Sequence, residues 1–243
     1  MHSLILPDWP LPAGVKAYST TRHGGVSLPP YDSLNLGDHV GDDEQAVARN
    51  RQLLAAVAEL PQMPLWLEQV HGTRVVTLGG QIPQDRRADA VYSNVVGQVC
   101  AVMTADCLPV LFASQAGDEI AAAHAGWRGL CNGVLENTVA HFTALPGQIT
   151  AWLGPAIGPS QFEVGPEVRA AFMAADSAAA AAFVPHGEKF LANIYLLARQ
   201  RLQRAGIFAI DGGDRCTMSE TSHFFSYRRD GITGRLASLI WVI

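Results

Sequence analysis

Short apolar segments separated by polar turns run along most of the chain. Apolar runs of four to eight residues, bounded by turn residues, are typical of strands that face a core. This pattern predicts strands over residues 15–21, 65–70, 74–78, 98–103, 108–112, 119–123, 149–153 and 236–242. A further strand is predicted over residues 224–228, joined to the last one by a hairpin turn at residues 229–231.

Helical spacing of apolar residues appears between these segments. Asp42 with Gln45 three positions later is typical of a helix start, and an apolar stripe follows it up to Val57. Further helices are predicted over residues 134–142, 166–174 and 189–205, and the alanine run at residues 178–182 is interpreted as an extension of the helix before it.

The order of these elements predicts the fold class. Strands occur both in succession and between helices, which favours a mixed β-sheet in a layered α+β fold. A length of 243 residues suits one domain, and we find no internal repeat and no linker. We therefore predict a single catalytic domain over residues 1–243.

Composition and charge limit the function classes. About half of the residues are hydrophobic (49%), so the chain can bury a large core. The formal net charge is −5 with 17 Lys and Arg, which argues against a general nucleic-acid binder. A small anionic ligand remains compatible, because a few local arginines can hold a phosphate.

Neither targeting nor disulfide signals are seen. Residues 1–12 lack a basic segment followed by a long apolar run, so no signal peptide is predicted, and no apolar stretch reaches the roughly 20 residues of a membrane helix. The four cysteines form no CxxC pair and are sparse for a disulfide scaffold. These features predict a cytoplasmic protein with its thiols free for a metal or for catalysis.

His71, Cys107 and His124 each stand at the end of a predicted strand and interrupt an apolar neighbourhood. Imidazole and thiolate suit zinc, and three protein ligands leave a fourth position for water or substrate. Because their spacing matches no short zinc-finger pattern, the residues alone leave two other interpretations open. Cys107 and His124 form a nucleophile and its base, with Asp106 orienting the imidazole, or Cys107 is an inert core thiol.

Arginines and a lone amide are the candidate substrate contacts. Arg22, Arg128, Arg228 and Arg229 lie beside turns, where guanidinium groups can bind phosphate, although a solvated surface charge is a common fate of such residues. Asn35 stands between two leucines, and a buried amide there needs partners, such as a ribose or a base. Aromatic side chains that could stack on a base are Trp66, Trp127, Phe162 and Phe225.

Seven short motifs occur together in a characteristic order. They are STTRHGGVS (19–27), LNLG (34–37), EQVHG (68–72), TADCLP (104–109), HAGWRG (124–129), GPAIG (154–158) and FFSYRRD (224–230). In this combination the chain resembles the YfiH family, also described as the multicopper polyphenol oxidase (laccase) or multifunctional purine nucleoside phosphorylase family. The resemblance extends over nearly the whole chain.

The resemblance implies a zinc ion held by His71, Cys107 and His124, and a layered α+β fold grouped with cysteine-hydrolase-like proteins. It also implies phosphorolysis of adenosine, inosine and methylthioadenosine, and deamination of adenosine. Copper-dependent laccase activity and a role in editing peptidoglycan precursors are further activities that the resemblance attaches to the family. A laccase uses several coppers, whereas these residues provide one site, although such ligands would also bind added copper.

For the two nucleoside reactions we expect Cys107, His124, Arg22 and Arg128 to be catalytic. Arg22 and Arg128 would hold phosphate, and Asn35 would join them in binding the nucleoside. The expected partners are therefore small molecules, a purine nucleoside and phosphate, with no nucleic acid and no membrane. Two alternatives remain: a Cys107–His124 amide hydrolase, and a binding module in which a fourth protein ligand closes a structural zinc site.

Overall fold

A six-stranded sheet forms the centre of the fold. The computed structural model describes residues 4–80 and 84–243. Within these ranges the strands are β1 (Leu4–Ile5), β2 (Val15–Thr20), β3 (Val75–Leu78), β4 (Ala90–Ser93), β5 (Val99–Thr104), β6 (Leu108–Ser114), β7 (Ile120–Ala125), β8 (Ile149–Leu153), β9 (Glu163–Val164), β10 (Phe183–His186), β11 (Lys189–Ala192), β12 (Ala209–Gly212) and β13 (Leu236–Val242).

Six α-helices lie between the strands of the described ranges. They are α1 (Glu44–Val57), α2 (Trp127–Asn132), α3 (Val134–Val139), α4 (Pro166–Ala175), α5 (Ile194–Arg204) and α6 (Tyr227–Asp230). Residues 146–148 and 177–182 form short 3₁₀ segments. No helix within the described ranges is both long and apolar enough to span a membrane.

The strands form one mixed sheet and two antiparallel ones. The central sheet has the order β12-β8-β6-β7-β4-β3, with parallel pairs at both edges and antiparallel pairs between them. A four-stranded sheet has the order β1-β2-β13-β5, and a small sheet pairs β10, β11 and β9. The predicted mixed sheet and α+β class are confirmed.

The two faces of the central sheet bury different cores. Val110 and Phe112 of β6 pack with residues of α3 and α5 on one face. Leu111 and Ala113 of the same strand pack on the other face with residues of the four-stranded sheet, including Leu239 of β13. Because neighbouring side chains of a strand point to opposite faces, β6 is buried on both sides. The result is three layers, of helices, central sheet and second sheet.

Two predicted strands are wrong, and the helix predicted over residues 189–205 begins later than predicted. Residues 65–70 form no strand but make one isolated bridge at Glu68. Here the side-chain amide of Gln69, and not the backbone of this segment, forms hydrogen bonds with the backbone N–H and carbonyl of Met103. Residues 189–192 form a strand and not the first turn of a helix, because Asn193 caps α5. Residues 224–228 run into α6, which Ser226 caps, so there is no hairpin at residues 229–231.

Two further helix limits differ from the pattern. Asp43, and not Asp42, caps α1, while the Asp42 carboxylate accepts from Ser27 and Asn35. The alanine run is a separate 3₁₀ segment and not an extension of α4, because Asp176 adopts an extended conformation and accepts from the backbone of Ala178.

Phe112→Ala tests the helix-facing core. Phe112 is fully buried (0% exposed), so truncation should lower the free energy of unfolding by about 3–5 kcal/mol through lost burial and a new cavity. The control is Phe208→Ala, since Phe208 is 74% exposed and should change stability by less than about 0.5 kcal/mol. Denaturant unfolding measures both, and equal losses would contradict this assignment of the core.

Candidate metal centre

Three loops or strand ends bring His71, Cys107 and His124 together. His71 lies in the loop before β3, Cys107 in the connection between β5 and β6, and His124 near the end of β7. Their ligand atoms all lie within 4.8 Å of one another, and Cys107 Sγ is 3.7 Å from His71 Nε2. Tetrahedral zinc with ordinary bond lengths would separate a sulfur and a nitrogen ligand by about 3.6 Å. The sulfur of Cys107 and the nitrogen of His71 therefore have the separation that one ion requires, and His124 completes the cluster.

Asp89 holds two of these ligands in place. It is fully buried just before β4, and its Oδ1 accepts from the backbone N–H of His71 (2.8 Å) and faces His124 Nδ1 at 2.9 Å. Its Oδ2 accepts from the N–H groups of Val70 (3.2 Å) and Gly72 (2.6 Å). With Nδ1 of His124 engaged, Nε2 is the nitrogen left to bind a metal.

Gly126 leaves space between the ligands. A Cβ at this position would lie 2.8 Å from His71 Cδ2, closer than real Cβ contacts, and 3.0 Å from Cys107 Sγ, a tight contact. Any other residue would therefore push the two ligands apart. Gly126 also directly precedes α2, so the backbone that carries His124 turns away at this point.

Asp106 fixes the connection that carries Cys107. Its backbone has a φ of 90°, an unusual conformation for a residue other than glycine. Its carboxylate accepts from the hydroxyls of Thr217 (2.6 Å) and Ser226 (3.0 Å) and from the backbone N–H of Arg228 (2.6 Å). Asp106 thus anchors the C-terminal loops, and the carboxylate that orients His124 is Asp89.

Charge is shared between Cys107 and His124. Burial opposes ionisation of Cys107, but the charge and hydrogen bond of His124, with help from His71, lower the pKa of the thiol to about 6. Burial also opposes a charged His124, but Cys107 and Asp89 raise the pKa of the imidazole to about 9. Each group therefore favours the charged form of the other, the thiolate of Cys107 and the imidazolium of His124. The thiolate is the form of cysteine that binds metals and attacks electrophiles.

A cleft with two lobes opens onto these residues. The larger lobe has a volume of about 420 Å³ and the smaller lobe about 260 Å³. Both are lined by His71, Ala105, Cys107 and Tyr227. The larger lobe is also lined by His39, Gln69, Met103, Thr104, His124 and Arg235. The smaller lobe adds Asp106, Trp127, Arg128, Ile157, Phe162, Ile194 and Arg228.

The sequence profile of the family described as multi-copper polyphenol oxidoreductase laccase matches residues 16–243. The chain belongs to this family. The family membership predicted from the seven motifs is therefore confirmed.

Relatives and solved structures match along nearly the whole length. The purine nucleoside phosphorylase YfiH of Escherichia coli K12 is 64% identical and covers 100% of both chains. A purine nucleoside phosphorylase of Pseudomonas aeruginosa is 52% identical and covers 100% of this chain and 99% of its own. The crystal structure of a Neisseria meningitidis protein superposes with a TM-score of 0.94, at 50% identity and 99% coverage of both chains.

The family description names several coppers, whereas the described residues provide one group of metal-ligating side chains. Within residues 4–80 and 84–243, His71, Cys107 and His124 form one group of three donors, and no fourth His, Cys, Asp or Glu joins it. The remaining cysteines, Cys100, Cys131 and Cys216, lie outside this group. Three donors leave one tetrahedral position open, as in catalytic zinc sites and unlike closed structural ones.

The structure places the three predicted substrate residues differently. Arg128 lines the smaller lobe, with its guanidinium 4.5 Å from the ring of Trp127. Arg22 lines neither lobe; its guanidinium donates to the carbonyls of Asp32 (2.9 Å) and Thr221 (3.1 Å). Asn35 is fully buried, and its amide bonds within the chain.

Five site residues were not identified from the sequence. They are Asp89, Arg235, Gln69, His39 and Tyr227. Asp89 precedes β4, a strand of four residues that is too short to stand out. Arg235 precedes the predicted last strand, and nothing in its neighbourhood marks it as different from other turn arginines. Two signals were available: Gln69 belongs to the EQVHG motif around His71, and Tyr227 belongs to the FFSYRRD motif.

Proposed function

We propose that the chain is a zinc-dependent purine nucleoside phosphorylase that accepts adenosine, inosine and methylthioadenosine, and that it also deaminates adenosine. The single observation that supports this most strongly is the open three-donor group of His71, Cys107 and His124 beside a cleft with two lobes. The names of the relatives from Escherichia coli and Pseudomonas aeruginosa support the same activity.

The donor set fits zinc in three independent respects. The ligands are imidazole and thiolate, the separation of Cys107 Sγ and His71 Nε2 is that of tetrahedral coordination, and Asp89 supplies the carboxylate that commonly orients a metal-bound histidine. We propose that residues 1–243 act as one catalytic domain around this centre. The likeness to cysteine-hydrolase-like folds and the cytoplasmic location stay predictions.

Phosphorolysis exchanges one bond at the sugar. The bond between C1′ and N9 of the purine breaks with its electron pair going to the base, while an oxygen of hydrogen phosphate bonds to C1′. The proton of hydrogen phosphate ends on the purine, which leaves as the neutral base with ribose 1-phosphate. The protein has to bind both reactants in line and exclude water from C1′.

The smaller lobe suits the purine. Trp127 and Phe162 offer aromatic faces, and Ile157 and Ile194 add apolar surface. Arg128 stacked on Trp127 extends this surface with a positive charge, which would bind the base or an anionic group. The expected roles of Arg22 and Asn35 in substrate binding stay predictions.

Deamination replaces the amino group at C6 of adenine. A water oxygen bonds to C6 and the C–N bond to the amino group breaks. One proton of the water goes to the amino group, which leaves as ammonia, and the other ends on N1 of the purine. Zinc bound by the three donors would lower the pKa of a bound water towards about 7. His71, Cys107 and His124 would hold the ion, while Asp89 keeps the His124 imidazole oriented.

Incubation of zinc-loaded protein with adenosine and phosphate should yield adenine and ribose 1-phosphate, with some inosine from deamination. A chelator should abolish turnover, and added zinc should restore it, because the ligands are preformed. Chromatography of the bases and metal analysis of the same sample measure both. Zinc-loaded protein that converts none of the three nucleosides would overturn the proposal.

A Cys–His amide hydrolase acting on a peptidoglycan precursor is a second candidate, and one observation favours it. Asp89, His124 and Cys107 have the order of orienting carboxylate, base and nucleophile. This function predicts activity that survives chelation and is lost on thiol alkylation. A copper-dependent polyphenol oxidase is the third alternative, which predicts phenol oxidation only after copper loading.

A further inference from the structure

Arg235 projects into the larger lobe of the cleft without a carboxylate partner. It is half-buried and lines this lobe with His71, Cys107 and His124. Among the described residues, no Asp or Glu oxygen forms an ion pair with its guanidinium. Its Nη1 donates to the carbonyls of Thr233 (3.0 Å) and Gly234 (3.1 Å), while Nε and Nη2 donate to no described residue. Two donors of a half-buried cation are therefore free to bind a ligand.

The nearby carboxylates are already engaged. Asp106 accepts three hydrogen bonds from the C-terminal loops, and Asp38 pairs with Arg51 at 3.2 Å. His39 faces the same lobe, where burial and the charge of Arg235 both lower the pKa of its imidazole. The charges of Cys107 and Asp106 act on Arg235 from a distance, but no described carboxylate forms an ion pair with its guanidinium in the larger lobe.

The LNLG segment, residues 34–37, holds Arg235 in this position. The buried Asn35 Oδ1 accepts from the backbone N–H of Arg235 (2.8 Å), and the carbonyl of Arg235 accepts from Leu36 N–H (3.2 Å). Gly37 leaves room for the side-chain stem, because a Cβ there would lie 2.7 Å from Arg235 Cγ. The LNLG segment therefore fixes the backbone of Arg235 by hydrogen bonds and leaves room for its side chain.

We propose that Arg235 binds inorganic phosphate, the co-substrate, in the larger lobe, and that Asn35 and Gly37 position it. This inference rests on the proposed phosphorylase function. A guanidinium offers a planar pair of donors that matches the oxygens of phosphate. With phosphate in the larger lobe and the purine among the aromatic residues of the smaller one, C1′ lies between them. The residues that line both lobes, Cys107 and His71 among them, are then next to the reacting carbon.

Arg235→Gln tests the proposal with phosphate as the probe. The KM for phosphate in adenosine phosphorolysis should rise about 10- to 100-fold, as expected for loss of hydrogen bonds to a charged group. The KM for adenosine and the zinc content should stay within about twofold of the parent chain. Calorimetric titration of the zinc-loaded protein with phosphate should show the same weakening without any need for turnover.

Two further variants accompany it. Gly37→Ala keeps the charge but displaces the stem of Arg235, so it should also raise the KM for phosphate, by a smaller factor. Arg49→Gln removes an equal charge from the exposed surface of α1 and should leave the KM for phosphate unchanged. If Arg235→Gln fails to fold, the two single variants Gly37→Ala and Arg235→Lys test the contact between Arg235 and phosphate.

The outcomes are separable. Unchanged phosphate binding and KM in Arg235→Gln would overturn the inference while leaving the phosphorylase intact. Loss of zinc in parallel with phosphate binding would also overturn it, because Arg235 would then act on the Cys107 thiolate. If the parent chain binds phosphate through Arg235 but performs no phosphorolysis, the proposed function fails and the anion site stands.

Discussion

Cys107→Ser is expected to lose both its bound zinc and its nucleoside turnover while staying folded. Serine has nearly the size of cysteine, but its hydroxyl has a far higher pKa than a thiol and is a poor zinc ligand at neutral pH. With two histidines alone, zinc affinity should fall by more than about 100-fold. Loss of a residue that only supports a ligand usually lowers metal affinity by about 10- to 100-fold. Turnover should fall with the metal, because the ion completes the site.

Metal analysis, turnover and melting temperature of this variant separate the three interpretations of Cys107. If it is a ligand, zinc and activity fall together; if it is a nucleophile, zinc persists and activity is lost. If it is a packing residue, both persist with a modest loss of stability of about 1 kcal/mol. Cys131→Ser is the matched control, since Cys131 is a half-buried thiol outside the donor group. Full zinc occupancy in Cys107→Ser would refute the proposed ligand set.

Asp89→Asn is expected to weaken both the metal centre and the fold. Both oxygens of Asp89 accept hydrogen bonds, so an amide NH₂ in either position would face backbone N–H groups or the His124 ring. Loss of a buried, paired carboxylate should lower the free energy of unfolding by about 3–5 kcal/mol. Because His71 and His124 lose their common anchor, zinc affinity should fall by about 10- to 100-fold.

Glu119→Gln distinguishes the two effects of that substitution. Glu119 is a buried carboxylate that accepts from the backbone of Thr143 (2.6 Å) and Ala144 (2.8 Å) and from Tyr92, away from the cleft. Its loss should lower stability to a similar extent but leave zinc affinity unchanged. Denaturant unfolding of the metal-free variants and zinc titration of the folded ones measure the two effects. An Asp89→Asn protein with the zinc affinity of Glu119→Gln would show that Asp89 only stabilises the fold.

The central sheet could be predicted because its longest strands carry the clearest pattern. β6 and β8 are continuous apolar runs between turn residues, and β13 of the four-stranded sheet is a similar run. Strands of two to four residues, such as β4 and β12, have too few positions for a period to appear. Residues 65–70 have the composition of a strand, but the side-chain amide of Gln69 takes the place of backbone hydrogen bonds to a neighbouring strand. Composition alone cannot show such a replacement.

The metal ligands were accessible from the sequence only through residue type and the resemblance. Their meeting depends on three connections that a linear pattern does not relate to one another. Asp89 accepts from three backbone N–H groups because the loop at His71 folds over it. Arg235 keeps two unengaged donors because no described carboxylate forms an ion pair with it. Both properties arise from tertiary packing. Residue type identifies what a side chain can bind, whereas the fold decides which side chains are left free to do so.

The position of β13 has a consequence for synthesis of the protein. This strand, residues 236–242, lies between β2 and β5. Both of these partners come much earlier in the chain. While translation is in progress, β2 and β5 are unpaired on the sides that β13 will occupy, and unpaired strand edges promote association with other chains. Arg235 joins the cleft as this strand is inserted. A nascent chain that lacks residues 235–242 therefore has neither a complete second sheet nor a complete larger lobe, so the cleft is finished only after these residues have been made.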